Sequence, residues 1–380
     1  IWKNAMEKSD DIRIKYASKY AQSSNYWKNS IGMNQAVKEL KVIEKKQALE
    51  RQLQEWIRRE PDKRSKYARV LTELELNYRN RRNAARAMAY FGETFANGPE
   101  LITAALAVLN FDFEAEESDL ERNMRQLLEI YANMDISVDK QVFVAMLKEY
   151  ATEVGKEFLP DVYSLIEKDF KGDYQAYVDD LYARSSLKTP HGFEQVVKGD
   201  TTYVLFDDPA ASFAIDMLVK FYEFNQSVEE ASMNIEKNER LLNEAMREME
   251  ADRVFYPDAN STMRLSFGMV GGYSPKDAIE YSYFTTTKGL FDKIRQYKGD
   301  SDFDVLPSVV ECLRRKDFGR YATGDGNMNV CFISDNDITG GNSGSGMFNG
   351  KGELIGLAFD GNWEAMSGDC LLYTSPSPRD

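Results

Sequence analysis

The 380-residue sequence holds one histidine, His191, and three cysteines, Cys312, Cys331 and Cys370. So little imidazole and thiol excludes a His/Cys metal cluster, and three irregularly spaced cysteines do not make a disulfide framework. No metal and no other cofactor is expected. Neither a P-loop nor a Rossmann glycine pattern occurs. Positive charge is in deficit: 48 Lys+Arg stand against 62 Asp+Glu, a net charge of −14. That balance disfavours nucleic acid and anionic membrane surfaces, both of which attract cations. The longest apolar stretch near the middle, "LITAALAVLNF" from Leu101 to Phe111, is far short of the roughly 20 residues a bilayer span needs. The chain opens on Ile1 without the basic start, apolar run and cleavage site of a signal peptide. It is therefore expected to begin inside a longer protein, and its opening says nothing of compartment.

What is present is ordinary globular composition, 43% hydrophobic and 29% charged, in a length that implies two domains. Up to Asp252 the period is helical. Leu49, Leu53, Trp56 and Ile57 make one apolar stripe, and Leu242, Ala245, Met246 and Met249 make another. Turn signals fall at Arg59 to Ser65, Phe95 to Glu100, Phe158 to Ser164, Lys188 to Glu194 and Phe206 to Ser212. The pattern predicts a bundle of antiparallel helices over residues 1–252. From residue 253 the grammar is β. Met263, Leu265, Phe267 and Met269 alternate with Arg264, Ser266 and Gly268, which predicts a strand with one buried face. Met328 to Ser334 and Glu353 to Asp360 also read as β, with a hairpin turn over Asn349 to Glu353. The expectation is an α+β, multidomain chain: helical domain 1–252, β domain 253–369, and a non-native tail at 370–380. That tail, "CLLYTSPSPRD", resembles translated sequencing-adapter read-through.

The segment "GGNSGSG" (Gly340 to Gly346) is a small-residue turn between β-forming stretches. A nucleophilic serine needs an exposed oxygen on such a turn, with backbone N–H groups aimed at the oxyanion of a tetrahedral intermediate. Ser343 meets the first requirement and the amides of Gly341 and Ser343 the second, although an ordinary hairpin has the same composition. A base for Ser343 is not evident: His191 lies in a Pro-Gly turn between predicted helices and fits a surface or helix-cap histidine.

The turn's surroundings decide between these readings. "DITGGNSGS" followed by "GELIGLAFDGNWE", with "GYSPKDAIEYSYFTTTKG", "KDFGRYA" and "KYAQSSNYWKNSIG" upstream, resembles the bacterial serine dipeptidyl-peptidase family of the seven and eleven types. The resemblance covers nearly the whole chain up to Asp369. It implies a large helical domain followed by part of a chymotrypsin-like β-barrel. Ser343 then matches the nucleophile, and Gly341 and Ser343 match the oxyanion hole. The catalytic His and Asp are implied in an N-terminal barrel that these residues do not include, so the fragment is expected to be inactive alone. Asn25 and Asp360 match the residues that hold a substrate's α-ammonium, as an amide oxygen and a carboxylate can. By their own residue types, Asn25 could equally cap a helix and Asp360 end a strand.

Gly361 matches the position where acid-preferring members carry Arg. With no side chain there, the resemblance implies a preference for hydrophobic P1 residues. It also implies oligopeptide substrates, a periplasmic or cell-surface location and a homodimer. One departure from the family's pattern is Gly346, where members usually have proline. Two other readings remain: a helical binding or assembly module without chemistry, and a dipeptidyl peptidase preferring acidic P1.

Overall fold

A computed structural model describes the chain except residues 111–116, 193–194, 196–206, 256–262, 264, 301–302, 339 and 367–380. The tail and part of the Lys188 to Glu194 turn lie outside the described residues. The chain divides into two compact units, Ile1–Ile31 with Glu44–Phe255, and Gly32–Ile43 with Tyr256–Asp380. Residues 32–43, read as part of the helical domain, thus fall in the second unit.

The first unit is helical. Its elements are α1 (Trp2–Met6), α2 (Asp10–Glu39), α3 (Val42–Arg59), α4 (Pro61–Tyr67), α5 (Val70–Phe91), α6 (Glu100–Leu109), α7 (Glu117–Ala132), α8 (Ile136–Glu153), α9 (Val162–Phe170), α10 (Tyr174–Arg184) and α11 (Pro209–Met249). The stretches of α2 and α3 between Gly32 and Ile43 count with the other unit. Breaks fall where proline and acidic residues punctuate the sequence. Pro61 and Pro209 stand at helix starts, where their missing N–H costs no helical bond. The stripe read on α3 is confirmed by Leu53 and Ile57, and that on α11 by Leu242, Ala245 and Met246, all buried.

The core of this unit gathers on the π-helical turn Gly92–Ala96 that follows α5. Phe95, fully buried, stands 5.4 Å from the ring of Phe91, 4.9 Å from Tyr150 and 5.6 Å from Phe213. These tilted and edge-on contacts suit the ring quadrupoles and knit α5, α8 and α11 together. Asp208 closes the unit at the head of α11. Its buried carboxylate accepts the N–H groups of Ala210 and Ala211, and on its other side the hydroxyls of Ser185 and Ser186 and the N–H of Ser186. One side chain therefore caps a 41-residue helix and fixes the end of α10.

The second unit holds β1 (Tyr273–Lys276) paired with β2 (Ile279–Tyr281), β3 (Phe284–Thr286) with β4 (Asn329–Phe332), and β5 (Gly346–Phe348) with β6 (Leu354–Leu357), all antiparallel. Helices α12 (Thr287–Gln296) and α13 (Pro307–Arg315) lie between β3 and β4 in sequence. Among the described residues the three pairs do not join into a closed barrel.

The strand expected over Met263 to Met269 is corrected. Among its described residues none is in a regular strand, and only Val270 makes a bridge, to Ser334. Alternation identifies a face but does not supply a partner, and without a ladder Met263, Leu265, Phe267 and Met269 stay exposed. The other β segments match: β4 lies within Met328 to Ser334, β6 within Glu353 to Asp360, and the turn between β5 and β6 is a hairpin. There Asn349 takes the N–H groups of Lys351 and Glu353 on its side-chain oxygen, and Gly352 has φ +79°.

Candidate active site

The Ser343 turn depends on two glycines. Gly341 has φ +90° and Gly344 φ +82°, a region that a residue with a Cβ enters only with strain. Ser343 between them is exposed. The turn is tied down on its C-terminal side: Gly344 donates its N–H to the Ala358 carbonyl at 2.7 Å, and Ala358 donates back to Ser345 at 2.9 Å. Ser345 also donates its N–H to the Asn342 carbonyl at 2.9 Å. Among the described residues, the N–H groups of Gly341 and Ser343 have no acceptor. Two donors flanking an exposed hydroxyl are what an oxyanion site requires.

Ala358 connects this turn to the second group of candidates. Two residues on, Asp360 is exposed, and its Oδ1 accepts the Gly361 N–H at 2.8 Å. β6 ends at Leu357, so Asp360 lies beyond the strand and its carboxylate still has lone pairs for a cation. A Cβ built on Gly361 meets nothing within 4 Å. The space beside it is open.

The chain after Gly361 is held by residues that sequence reading did not identify. Asn362 donates its side-chain N–H to the Tyr273 hydroxyl at 2.7 Å. Burial, then the neighbouring Glu364 carboxylate, pushes Tyr273 up to about 12, so it stays a neutral phenol. Both Glu364 oxygens are shut from solvent, and no hydrogen bond of good geometry reaches them among the described residues. Nearby, a Cβ on Gly32 would stand 2.8 Å from Met366 Sδ and 3.5 Å from Trp363 Cβ. Glycine at position 32 lets this turn lie against α2. Tyr273 and Asn362 are 89 positions apart, and no local pattern links them.

Asn25 belongs to the helical unit. It is exposed in the middle of α2, which runs unbroken from Asp10 to Glu39. The capping role considered for it is therefore excluded, since a cap must stand at a helix end. His191 is also exposed and in the helical unit. Ser343, Asp360 and Gly361 are together in the other unit. Among the described residues no group of His, Cys, Asp and Glu is arranged to hold a metal ion, and no helix is long and apolar enough to cross a membrane.

The exposed serine turn, whose flanking amides have no acceptor among the described residues, is thus tied through Ala358 to the segment that carries Asp360. The chain belongs to the Peptidase S46 family, whose model matches residues 1–379. It is 42% identical over 374 residues to a dipeptidyl-peptidase 7 of Porphyromonas endodontalis, covering 97% of this chain and 45% of that protein. To an Asp/Glu-specific dipeptidyl-peptidase of Porphyromonas gingivalis it is 35% identical, covering 94% of this chain and 50% of the relative. The crystal structure of Porphyromonas endodontalis DPP11 in complex with the dipeptide Arg-Glu superposes with a TM-score of 0.80 at 26% identity, over 96% of this chain and 53% of that one. The chain thus spans about half the length of the relatives it matches.

Proposed function

We propose that this chain supplies the nucleophile and part of the substrate-binding surface of a serine dipeptidyl peptidase that releases dipeptides from the N-termini of oligopeptides. The observation that carries the reading is the tie through Ala358, which fixes the exposed Ser343 turn to the segment bearing Asp360 and Gly361. Ser343 Oγ attacks the carbonyl carbon of the substrate's second residue while a base takes its proton. The amides of Gly341 and Ser343 receive the oxyanion. The intermediate collapses with release of the shortened peptide's amine, which takes the proton, and water then hydrolyses the acyl-enzyme to free the dipeptide. The carboxylate of Asp360 and the amide oxygen of Asn25 are each assigned by the resemblance to the substrate's α-ammonium, a contact that limits cleavage to two residues from the N-terminus.

His191 has no part in this scheme. The resemblance assigns the base and its orienting carboxylate to the further length that the relatives possess, in a chymotrypsin-like pair of barrels to which β1 to β6 contribute. On that assignment these 380 residues alone are inactive. The same reading places the full-length protein in the periplasm or at the cell surface as a homodimer. At P1 the open, uncharged space at Gly361 favours apolar side chains by burial and offers acidic ones no partner. The relatives' names cover both an Asp/Glu-specific type and dipeptidyl-peptidase 7, and Gly361 is the residue that argues for the hydrophobic preference.

The test is turnover of fluorogenic dipeptide substrates by a full-length protein carrying this chain. Ser343→Ala is expected to abolish hydrolysis and His191→Ala to leave it intact. Activity surviving Ser343→Ala, or lost with His191→Ala, would overturn the assignment.

A further inference from the structure

Within the helical unit a buried pair of carboxyl groups ties four helices together, and the catalytic scheme makes no use of it. Asp139 on α8 is fully buried and Glu100, the first residue of α6, is 4% exposed. Asp139 accepts the backbone N–H groups of Glu100 at 2.7 Å and Leu101 at 3.0 Å, and the hydroxyl of Tyr182 from α10 at 2.7 Å. The Glu100 carboxylate in turn accepts the Tyr16 hydroxyl at 3.2 Å and pairs with Lys19, both on α2. The Tyr16 oxygen also accepts the Asp135 N–H at 3.0 Å. Lys15 reaches the Met134 carbonyl at 2.9 Å, and Lys140 lies over the Tyr182 ring. Four helices meet in one chain of contacts, Lys19 to Glu100 to Asp139 to Tyr182.

A buried ionic cluster is a poor source of stability, because desolvation offsets most of its attraction; what it does well is hold one geometry. The geometry held here is that of α2. Tyr16 is fully buried, and from residue 17 to residue 31 no side chain of α2 is buried. Asn25 lies in that bare stretch, six residues or about 9 Å along a rigid helix from Lys19. We propose that Glu100 and Asp139, acting through Tyr16 and Lys19, are positioning residues for Asn25: they set where α2 presents its amide to the substrate's ammonium group. The inference rests on the role proposed above for Asn25.

The experiment is steady-state kinetics of the full-length protein on a free-amine dipeptide substrate, with circular dichroism to confirm folding. Lys19→Met is expected to raise KM about fivefold with kcat changed less than about twofold, as for a lost substrate-binding contact. Lys19→Arg should stay near the wild-type KM. In an Asn25→Ala background, Lys19→Met should add less than about twofold, since the two act through one contact. Tyr16→Phe, which keeps the ring and loses the hydroxyl, should repeat the pattern. An unchanged KM in Lys19→Met, or an undiminished increase in the Asn25→Ala background, overturns the positioning role while leaving Asn25 in place. An unchanged KM in Asn25→Ala itself removes the reading on which the inference stands.

Discussion

Gly344 gives its backbone N–H to the Ala358 carbonyl at 2.7 Å from a conformation, φ +82°, that only glycine adopts readily. The residue after the candidate nucleophile is therefore both the hinge of its turn and the tie to the Asp360 segment. A side chain at 344 costs about 1–2 kcal/mol in that conformation, although nothing stands within 4 Å of a Cβ there. Gly344→Ala should lower kcat of the full-length protein through backbone strain rather than collision. Wild-type turnover in this variant would show that the turn's geometry is not used.

Gly361 makes the opposite case, because its space is open and its backbone unstrained. Gly361→Arg should fold normally and bring a guanidinium to the proposed S1 pocket. A charge-assisted hydrogen bond of roughly 1.5–3 kcal/mol predicts at least a tenfold rise in the ratio of kcat/KM for Glu over Leu at P1. The ratio measured on paired fluorogenic substrates checks this, and an unchanged ratio places Gly361 away from P1.

Asp139 makes the helical unit sensitive to pH. Burial, then a side-chain hydrogen bond shared with the Glu100 carboxyl, pushes its carboxyl from the ordinary 3.8 up to about 8. Because the folded value lies above the unfolded one, the folded chain holds the extra proton between them. The contribution is full below the unfolded value and is lost as pH rises through about 8. The slope approaches about 1.4 kcal/mol per pH unit in that window. Urea denaturation from pH 5 to pH 9 should show stability falling, and Asp139→Asn should flatten the fall. An equal slope in the variant would assign the effect to another group.

Asp208→Ala removes a cap and strands several donors at once. It leaves Ser185, Ser186, Ala210 and Ala211 groups without their acceptor in a buried setting. A loss of about 2 kcal/mol or more is expected from the cap and the unmet donors together. Thermal melts are the measure, and a loss below about 0.5 kcal/mol would mean that water replaces the carboxylate.

What the sequence made legible was local in character. The α3 stripe through Leu53 and Ile57, the Asn349 hairpin and the glycine turn around Ser343 each follow from residues within a few positions of one another. The relations that join distant parts of the chain are not local: Asp208 meets Ser185 across 23 positions, Glu100 meets Tyr16 across 84, and Asn362 meets Tyr273 across 89. A polar residue awaiting a distant partner reads like any surface residue. The misread segment, Met263 to Met269, fails for the converse reason. Its alternation is genuine, but a strand is defined by a neighbour, and the described residues supply one only at Val270.

That segment also has a chemistry of its own. Met263 is 90% exposed and Met269 74%, with the greasy side chains of Leu265 and Phe267 between them. Peroxide converts exposed thioethers to sulfoxides, turning flexible apolar groups into polar ones. An oxidant would thus make this ribbon wettable at both ends while leaving its backbone intact, so its stickiness is a property that storage conditions can remove.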